Sequence, residues 1–187
     1  MTHRLVIVRH TQTDDNVARR YSGQYDVELN LTGKKQAIDV SKRIVGLGNI
    51  CAVASSNLSR AMFLGDRIGS RAGVVTRALP ELREAGLGRL ERLTRDEFPA
   101  RYQGDMYRTS RPDFDFTEVG GESAQQVIER YLRGLHIMRR QLELHGPNGR
   151  LVVVGHGTAL RLVFRDHFGA IDKLHEQGDF QELDWPL

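Results

Sequence analysis

The sequence predicts an α/β fold, a three-layer α/β/α sandwich with a mainly parallel sheet. Short segments that are continuously apolar, such as 5–8 and 151–154, are typical of strands buried on both faces of a parallel sheet. These segments alternate with longer ones whose apolar residues recur at helical spacing. The chain has 187 residues, a length that fits one domain. We therefore expect a single domain over 1–187, with a short cap segment around 92–120.

In the first half of the chain, three apolar runs alternate with three amphipathic segments. We predict, in order, a strand at 4–9, a short helix from Thr13, a helix at 32–45, a strand at 50–55, a helix at 58–68 and a strand at 73–77. The helix at 32–45 places Ala37, Val40 and Ile44 on one side, and Thr32 is expected to be its N-cap. Residues 20–31 and 78–92 are expected to be loops.

The second half of the chain repeats the alternation with a longer helix. We predict, in order, a helix at 93–104, an irregular segment at 105–119, a helix from Ser123 to about Leu142, a strand at 151–155, a helix at 158–168 and an edge strand at 179–183. Ser123 and Gln126 form a capping box for the long helix. The glycine-rich segment 146–149 ends it.

Composition and charge exclude several classes of protein. The net charge is +3, and the 27 basic residues are scattered among 24 acidic ones, whereas nucleic-acid binding predicts a dense basic run. No apolar run has the length of a membrane span, and the run at 5–8 is too short for a signal peptide. The single cysteine, Cys51, agrees with a reducing compartment. We expect a cytoplasmic protein that binds neither nucleic acid nor a membrane. The oligomeric state stays open, and a homodimer is one option.

Side chains that can carry chemistry follow the predicted strands at their carboxyl ends, where ligands bind in open α/β sheets. Arg9 and His10 end the first strand, Arg60 follows the second, Glu84 lies in the loop after the third, and His156 follows the fourth. Because parallel strands have their carboxyl ends at the same edge of a sheet, we expect these five residues to converge.

This set of side chains suits phosphoryl transfer. Arg9, Arg60 and a protonated His156 would stabilise charge on the phosphoryl oxygens, and the helix after the first strand would add N–H donors. His10 would attack phosphorus as a neutral imidazole. Glu84 would protonate the leaving group and later accept a proton from water.

The same residues allow two other interpretations. Two histidines and a carboxylate could bind a metal ion, but the neighbouring arginines would repel a cation. Arg9 and His10 could simply end a strand at the surface. The glycines that flank His156 at the end of another strand disfavour that interpretation.

At these residues the sequence resembles the histidine phosphatase superfamily, in its phosphoglycerate mutase-like branch. The matching segments follow the family's order over nearly the whole chain: 5–10 with Gln12, Thr13 and Asn16; Ser22, Gly23 and Asp26; Leu31, Thr32, Gly33, Gln36 and Ala37; 55–61; Leu82, Glu84 and Gly88; 120–123; and 153–157. The combination of these motifs is highly specific.

The resemblance implies a phosphoglycerate mutase-like fold and definite roles. His10 would be the phosphorylated nucleophile and Glu84 the proton donor and acceptor, while the phosphoryl group would be held by Arg9, Arg60 and His156. Further phosphate or substrate contacts would come from Gln12, Asn16, Gly23 and Gly157. No metal and no cofactor are implied.

The chain departs from the family pattern at three places. Thr11 stands where the family has glycine, so its side chain could narrow the approach to the phosphate. Gly155 stands where serine is common. The family's Trp-Glu-Gly sequence after the acid loop is Leu90-Glu91-Arg92 here.

Within the family the choice lies between hydrolysis and phosphate transfer between hydroxyls. A mutase needs a substantial lid and a second anion contact, but only 28 residues lie between Glu91 and Gly120. Leu87 also stands where the family's mutases carry tyrosine. We therefore predict a histidine acid or broad-specificity phosphatase, a phosphomonoesterase that acts on a small phosphorylated metabolite. A cofactor-dependent phosphoglycerate mutase and a non-catalytic phosphate-binding regulatory protein are the alternatives.

The cap segment combines aromatic residues with arginines. It holds Phe98, Tyr102, Tyr107, Phe114 and Phe116 with Arg101, Arg108 and Arg111. We expect the aromatic side chains to pack the cap and at most one or two of the arginines to face substrate. Glu122 either anchors the site or is a charge in the first turn of a helix.

Overall fold

A computed structural model describes residues 4–100, 114–143, 148–170 and 176–184. Its five-stranded sheet has the order β3-β2-β4-β1-β5. The strands are β1 (Arg4–Arg9), β2 (Ile50–Ser55), β3 (Thr76–Ala78), β4 (Arg150–Gly155) and β5 (Phe180–Asp184). Neighbouring strands are parallel except β5, which pairs antiparallel with β1 at the edge. The predicted mainly parallel α/β fold is therefore confirmed.

Helices cover both faces of this sheet. They are α1 (Asp14–Val17), α2 (Leu31–Val45), α3 (Ser59–Ala72), α4 (Ala124–Glu143) and α5 (Gly157–Leu160), which continues as a π-helical segment (Arg161–His167). Alternate residues of β1 face opposite ways. Val6 and Val8 pack with α2 and α3, whereas Leu5 and Ile7 pack with α4 and α5. The two cores define the three layers. Among the residues described, no helix has the length and apolar character that a membrane crossing requires.

Several predicted boundaries and caps are corrected by the structure. The N-cap of α2 is Asn30, whose Oδ1 accepts from the Gly33 amide at 2.8 Å, so Thr32 already lies inside the helix. The third strand covers 76–78 rather than 73–77, because Gly73 adopts a left-handed conformation as the C-cap of α3. Residues 93–99 form turns instead of a helix, and most of the remaining predicted helix lies outside the described residues.

Other predicted caps agree with the structure. Thr13 caps α1 and forms a reciprocal pair of hydrogen bonds with Asn16. Ser123 and Gln126 form the predicted capping box at the start of α4. Phe98, Phe114 and Phe116 are buried against one another, as expected for aromatic residues that pack the cap. The other cap residues named above, at 101, 102, 107, 108 and 111, lie outside the described residues.

Candidate active site

The carboxyl ends of β1, β2 and β4 meet at one edge of the sheet, and backbone hydrogen bonds hold the residues that follow them. The His10 amide donates to the Gly155 carbonyl at 3.0 Å, and the Ser56 amide donates to the Val154 carbonyl at 3.0 Å. His10 and His156 therefore leave adjacent strands side by side. Their ring centroids are 5.1 Å apart.

His10 is buried and its tautomer is fixed by the backbone. Its Nδ1 lies 2.7 Å from the carbonyl oxygen of Thr11, which can only accept, so Nδ1 carries the hydrogen. Burial, followed by the charges of Arg60 and Arg9, lowers the pKa of His10 well below its usual value of 6.5. The imidazole is therefore neutral, and its lone pair lies on Nε2. This is the form that a nucleophilic histidine requires.

His156 is fully buried beside His10. Neither of its ring nitrogens has a hydrogen-bond partner in the described part of the chain. Burial lowers the pKa of His156 well below 6.5, and the charge of Arg60 lowers it further. Burial and the charge of Arg60 therefore oppose the protonated state that the sequence analysis expects for His156. An anion bound beside the ring would favour protonation.

Arg60 lies in the first turn of α3 and is almost fully buried, with 1% of its surface exposed. Its Nη2 donates to the Gly23 carbonyl at 2.7 Å, and its Nη1 donates to the Tyr25 carbonyl at 2.9 Å. These two bonds fix the plane of the guanidinium. Gly23 has a positive φ of 53°, and a Cβ there would overlap the side chain of Glu91. Gly23 thus helps to position Arg60 as well as lining the pocket.

Arg9 lies near Arg161, a cavity-lining residue that the sequence analysis missed. A Cβ on Gly157 would lie 3.0 Å from Cζ of Arg9 and 3.3 Å from Nη1 of Arg161. Burial lowers the pKa of Arg9, and the charge of Arg161 is the next cause. Glycine at 157 leaves room for both guanidinium groups. Arg161 follows His156 by five residues, and its sequence position alone carries no sign of this proximity.

Glu84 enters the site from the loop after β3. Its Oε1 accepts from the Ala85 amide at 2.9 Å and the Ala159 amide at 2.8 Å, and its Oε2 accepts from the Thr158 amide at 3.0 Å. The N-terminus of α5 therefore holds the carboxylate. The sequence analysis expects N–H donors from the helix after β1. This helix, α1, is only four residues long, and the Asn16 amide in it already donates to the Thr13 hydroxyl.

A partly buried ion pair positions the Glu84 loop. Arg130 on α4 donates to the carbonyls of Glu81, Arg83 and Glu84 at 2.7–2.8 Å. Its Nε lies 2.7 Å from Oε1 of Glu122, whose Oε2 accepts from the Gly86 amide at 2.8 Å. Glu122 is therefore an anchor of the loop. From the sequence, Glu122 was either an anchor of the site or a charge in the first turn of a helix, and Arg130 was not singled out.

Polar side chains dominate the lining of the cavity at this edge, whose volume is about 290 Å³. Of the predicted site residues, the lining includes Arg9, His10, Asn16, Gly23, Arg60, Glu84 and Gly157. His156, the neighbour of His10, is not among the lining residues. Gln12 does not line the cavity: its Oε1 accepts from the Asn30 side chain at the start of α2, and its backbone amide donates to Oε1 of Gln36. The geometry therefore argues against a phosphate contact from the Gln12 side chain.

Two of the departures from the family pattern, Thr11 next to His10 and Gly155 next to His156, have physical explanations. The Thr11 hydroxyl donates to the Gly33 carbonyl at 2.8 Å, so the side chain points towards α2 and does not narrow the cavity. A Cβ on Gly155 would overlap the hydroxyl of the fully buried Tyr131. Tyr131 thus occupies the space that a side chain at 155 would need. Among the described residues, no group of three or more His, Cys, Asp or Glu is arranged to hold a metal ion.

Comparisons relate this chain to known proteins. The model of the histidine phosphatase superfamily (branch 1) matches residues 5–179. The chain is 35% identical over 159 residues to glucosyl-3-phosphoglycerate phosphatase of Mycobacterium tuberculosis, over 82% of this chain and 70% of that protein. It is 34% identical over 154 residues to the probable phosphoglycerate mutase GpmB of Cronobacter sakazakii, over 82% and 69% of the two chains. A structure of mycobacterial glucosyl-3-phosphoglycerate phosphatase Rv2419c with VO3 has a TM-score of 0.81 and 26% identity, covering 96% of this chain and 91% of that one.

Proposed function

Because this chain belongs to the histidine phosphatase superfamily, we propose that it is a phosphatase that hydrolyses small phosphorylated metabolites through a phosphohistidine on His10. One observation carries the mechanism. The Thr11 carbonyl holds the hydrogen of the neutral His10 ring on Nδ1, which leaves the Nε2 lone pair for phosphorus.

In the first step the Nε2 lone pair of His10 attacks phosphorus, and the bond from phosphorus to the ester oxygen breaks. The leaving oxygen takes the proton of a protonated Glu84 carboxyl. The imidazole, now bonded to phosphorus at Nε2, is positively charged, and the Nδ1–H bond to the Thr11 carbonyl stabilises that charge. Arg9, Arg60 and His156 stabilise the phosphoryl oxygens.

In the second step water attacks phosphorus and the bond to Nε2 breaks. The Glu84 carboxylate accepts the proton of the water, so inorganic phosphate leaves and His10 returns to its neutral form. The amides of Ala85, Thr158 and Ala159 hold Glu84 in place for both steps. No step in this scheme needs a metal ion, so the proposal expects full activity in EDTA.

The decisive experiment is phosphate labelling of the enzyme by a phosphorus-labelled monoester in EDTA. Wild-type protein should release phosphate from 4-nitrophenyl phosphate and carry label when quenched during turnover. The label should leave in acid and persist in mild alkali, as a phosphoramidate does. His10→Ala should lose both turnover and label, whereas His136→Ala, on the exposed face of α4, should keep them. An acid-stable label would contradict the assignment.

A mutase is the second candidate, because the Cronobacter relative is named as one. The two reactions differ in the fate of the phosphoryl group. Incubation with a phosphoglycerate should yield inorganic phosphate here, and efficient formation of the isomeric phosphoglycerate would favour the mutase. The name of the Mycobacterium relative makes glucosyl-3-phosphoglycerate a substrate to assay in parallel. We also propose a cytoplasmic location, which the single cysteine supports.

A further inference from the structure

Two residues of the proposed reaction lie on different elements and need a fixed separation. Arg60 is on α3, and Glu84 is in the loop after β3. One would hold the phosphoryl oxygens and the other would protonate the leaving oxygen, and both kinds of oxygen are bonded to the same phosphorus. A misplacement of about 1 Å in such an arrangement can lower the rate about 100-fold. A group that contacts both elements would therefore matter for the chemistry without touching the substrate.

The segment 23–25 holds Arg60 through its backbone. The carbonyls of Gly23 and Tyr25 accept from the two terminal nitrogens of the Arg60 guanidinium at 2.7 and 2.9 Å. The Tyr25 amide donates in turn to the Ser22 carbonyl at 2.9 Å, so the segment is an ordered turn. Gln24 is the residue between the two carbonyls. Its backbone is therefore fixed relative to Arg60.

The side chain of Gln24 reaches the other element. Its Nε2 donates to the backbone carbonyl of Glu84 at 3.2 Å and to Oε2 of Glu122 at 3.1 Å. Both of these neighbours can only accept, so the NH₂ group of the amide, and not its oxygen, must face them. The same Glu122 oxygen accepts from the Gly86 amide at 2.8 Å. Gln24 thus joins the anchor that holds the Glu84 loop.

The backbone of Gln24 makes a second connection to the same loop. Its amide donates to Oε1 of Glu91 at 2.8 Å, and this oxygen also accepts from the Leu87 amide at 3.3 Å. The loop after β3 is therefore bound at two points, by the side chain and by the backbone of one residue. Together with the bonds to Arg60, these contacts form a continuous chain of hydrogen bonds from Arg60 to Glu84.

We propose that Gln24 is a positioning residue, which sets the separation between Arg60 and Glu84 and so places the acid against the leaving oxygen of a bound phosphoryl group. The proposal rests on the proposed function, because it takes the roles of Arg60 and Glu84 from it. Gln24 is not among the residues that line the cavity, so it acts through Glu84 and not on the substrate. Its effect belongs to proton transfer and not to phosphate binding.

The first test compares leaving groups in Gln24→Met, which keeps the length of the side chain and removes the amide. The measured quantity is kcat/KM for phenyl phosphate and for 4-nitrophenyl phosphate. Phenyl phosphate should lose about tenfold, the effect of one or two hydrogen bonds. 4-Nitrophenyl phosphate should lose less than about twofold, because a good leaving group needs no proton. The ratio of the two does not depend on the fraction of active enzyme, and equal slowing of both would overturn the proposal.

A double-mutant cycle tests whether Gln24 acts through the acid. In the Glu84→Gln background the acid is absent, so Gln24→Met should cause no further loss with phenyl phosphate. The inhibition constant of inorganic phosphate should change less than about twofold in Gln24→Met, because the carbonyls of Gly23 and Tyr25 still hold Arg60. A full tenfold loss in the Glu84→Gln background, or a tenfold weaker inhibition by phosphate, would contradict the assignment.

Two more variants guard against effects on folding. Gln24→Asn keeps the amide but shortens the side chain by one methylene, which withdraws it from the Glu84 carbonyl, so it should show the same selective loss. The matched control is Gln125→Met, because Gln125 is exposed on α4 and donates to Glu129. The control should keep the wild-type ratio of the two substrates. A Gln24→Asn variant that also kept this ratio would count against the proposal.

The same measurements separate this proposal from the proposed function. A wild-type enzyme that hydrolyses both substrates through His10, with Gln24 variants that slow both equally, would reject the role of Gln24 and leave the phosphatase intact. A wild-type enzyme that hydrolyses neither substrate would reject the phosphatase, and the role of Gln24 would fall with it. Selective loss with phenyl phosphate, absent in the Glu84→Gln background, is the result that supports both.

Discussion

Two buried neutral histidines make the stability of the fold depend on pH. In the unfolded chain His10 and His156 bind protons below their ordinary pKa of 6.5, whereas in the fold both pKa values lie well below it. The unfolded state therefore binds more protons as the pH falls, and the free energy of unfolding decreases. The contribution of these two neutral histidines to the free energy of unfolding is fully present above pH 6.5. It is lost as the pH falls from 6.5 towards the lowered pKa values.

The magnitude follows from linkage. From about pH 7.5 to about pH 5.5, a histidine that titrates only in the unfolded state costs about 1.4 kcal/mol, so the pair costs about 2.7 kcal/mol. His156→Gln removes one of the two titrations. The change in unfolding free energy over this pH interval should therefore be smaller in His156→Gln by about 1.4 kcal/mol.

Urea unfolding followed by circular dichroism at the two pH values measures this difference within each protein, so a general loss of stability in the variant cancels. The buffers must be free of phosphate and sulfate, because an anion in the cavity would favour protonated His156 and reduce the effect. His136→Gln is the matched control, since His136 is exposed on α4, and it should keep the full wild-type change. Equal changes in wild type and His156→Gln would refute the reasoning.

Three further predictions concern the surroundings of the histidines. Glu84→Gln should slow hydrolysis of phenyl phosphate far more than that of 4-nitrophenyl phosphate, because a good leaving group needs no proton, and equal slowing would argue against an acid role. Arg130→Met leaves the Glu122 carboxylate without its partner and should cost about 3 kcal/mol in urea unfolding. The double variant Arg130→Met with Glu122→Gln should be more stable than Arg130→Met alone. If the costs of the two single variants simply added, the ion pair would be contradicted. Gly155→Ala should destabilise by about 2 kcal/mol through overlap with Tyr131, and Tyr131→Phe should relieve it. An unchanged cost in the double variant would show that the overlap is not the cause.

The sheet and the convergence at its edge could be predicted from sequence because both depend on local patterns. Continuous apolar runs indicate buried parallel strands, and parallel strands bring His10 and His156 to one edge whatever the loops do. The hydroxyl of Thr13 and the capping box at Ser123 act over three residues, so they too could be seen in the sequence.

What sequence reasoning missed depends on contacts between distant segments. The charge state of His156 depends on burial and on Arg60, which lies 96 positions earlier in the chain. The side chain of Gln12 could have faced either the cavity or α2, and the hydrogen bond from Asn30 holds it at the start of α2. Arg161 approaches Arg9 because α5 contacts β1 and both guanidinium groups lie next to Gly157. None of these contacts has a periodicity or a spacing that a single sequence can display.

The Glu122–Arg130 pair lies outside the cap segment, in the turn before α4 and on α4 itself, yet it grips the loop that carries Glu84. The placement of the proton donor therefore depends on two residues that are distant from it along the chain. Because the Phe116 amide donates to the Glu122 carbonyl, the same pair also links the Glu84 loop to the described end of the cap segment. A substitution near Phe116 or near Arg130 can therefore reach the reaction through the position of Glu84.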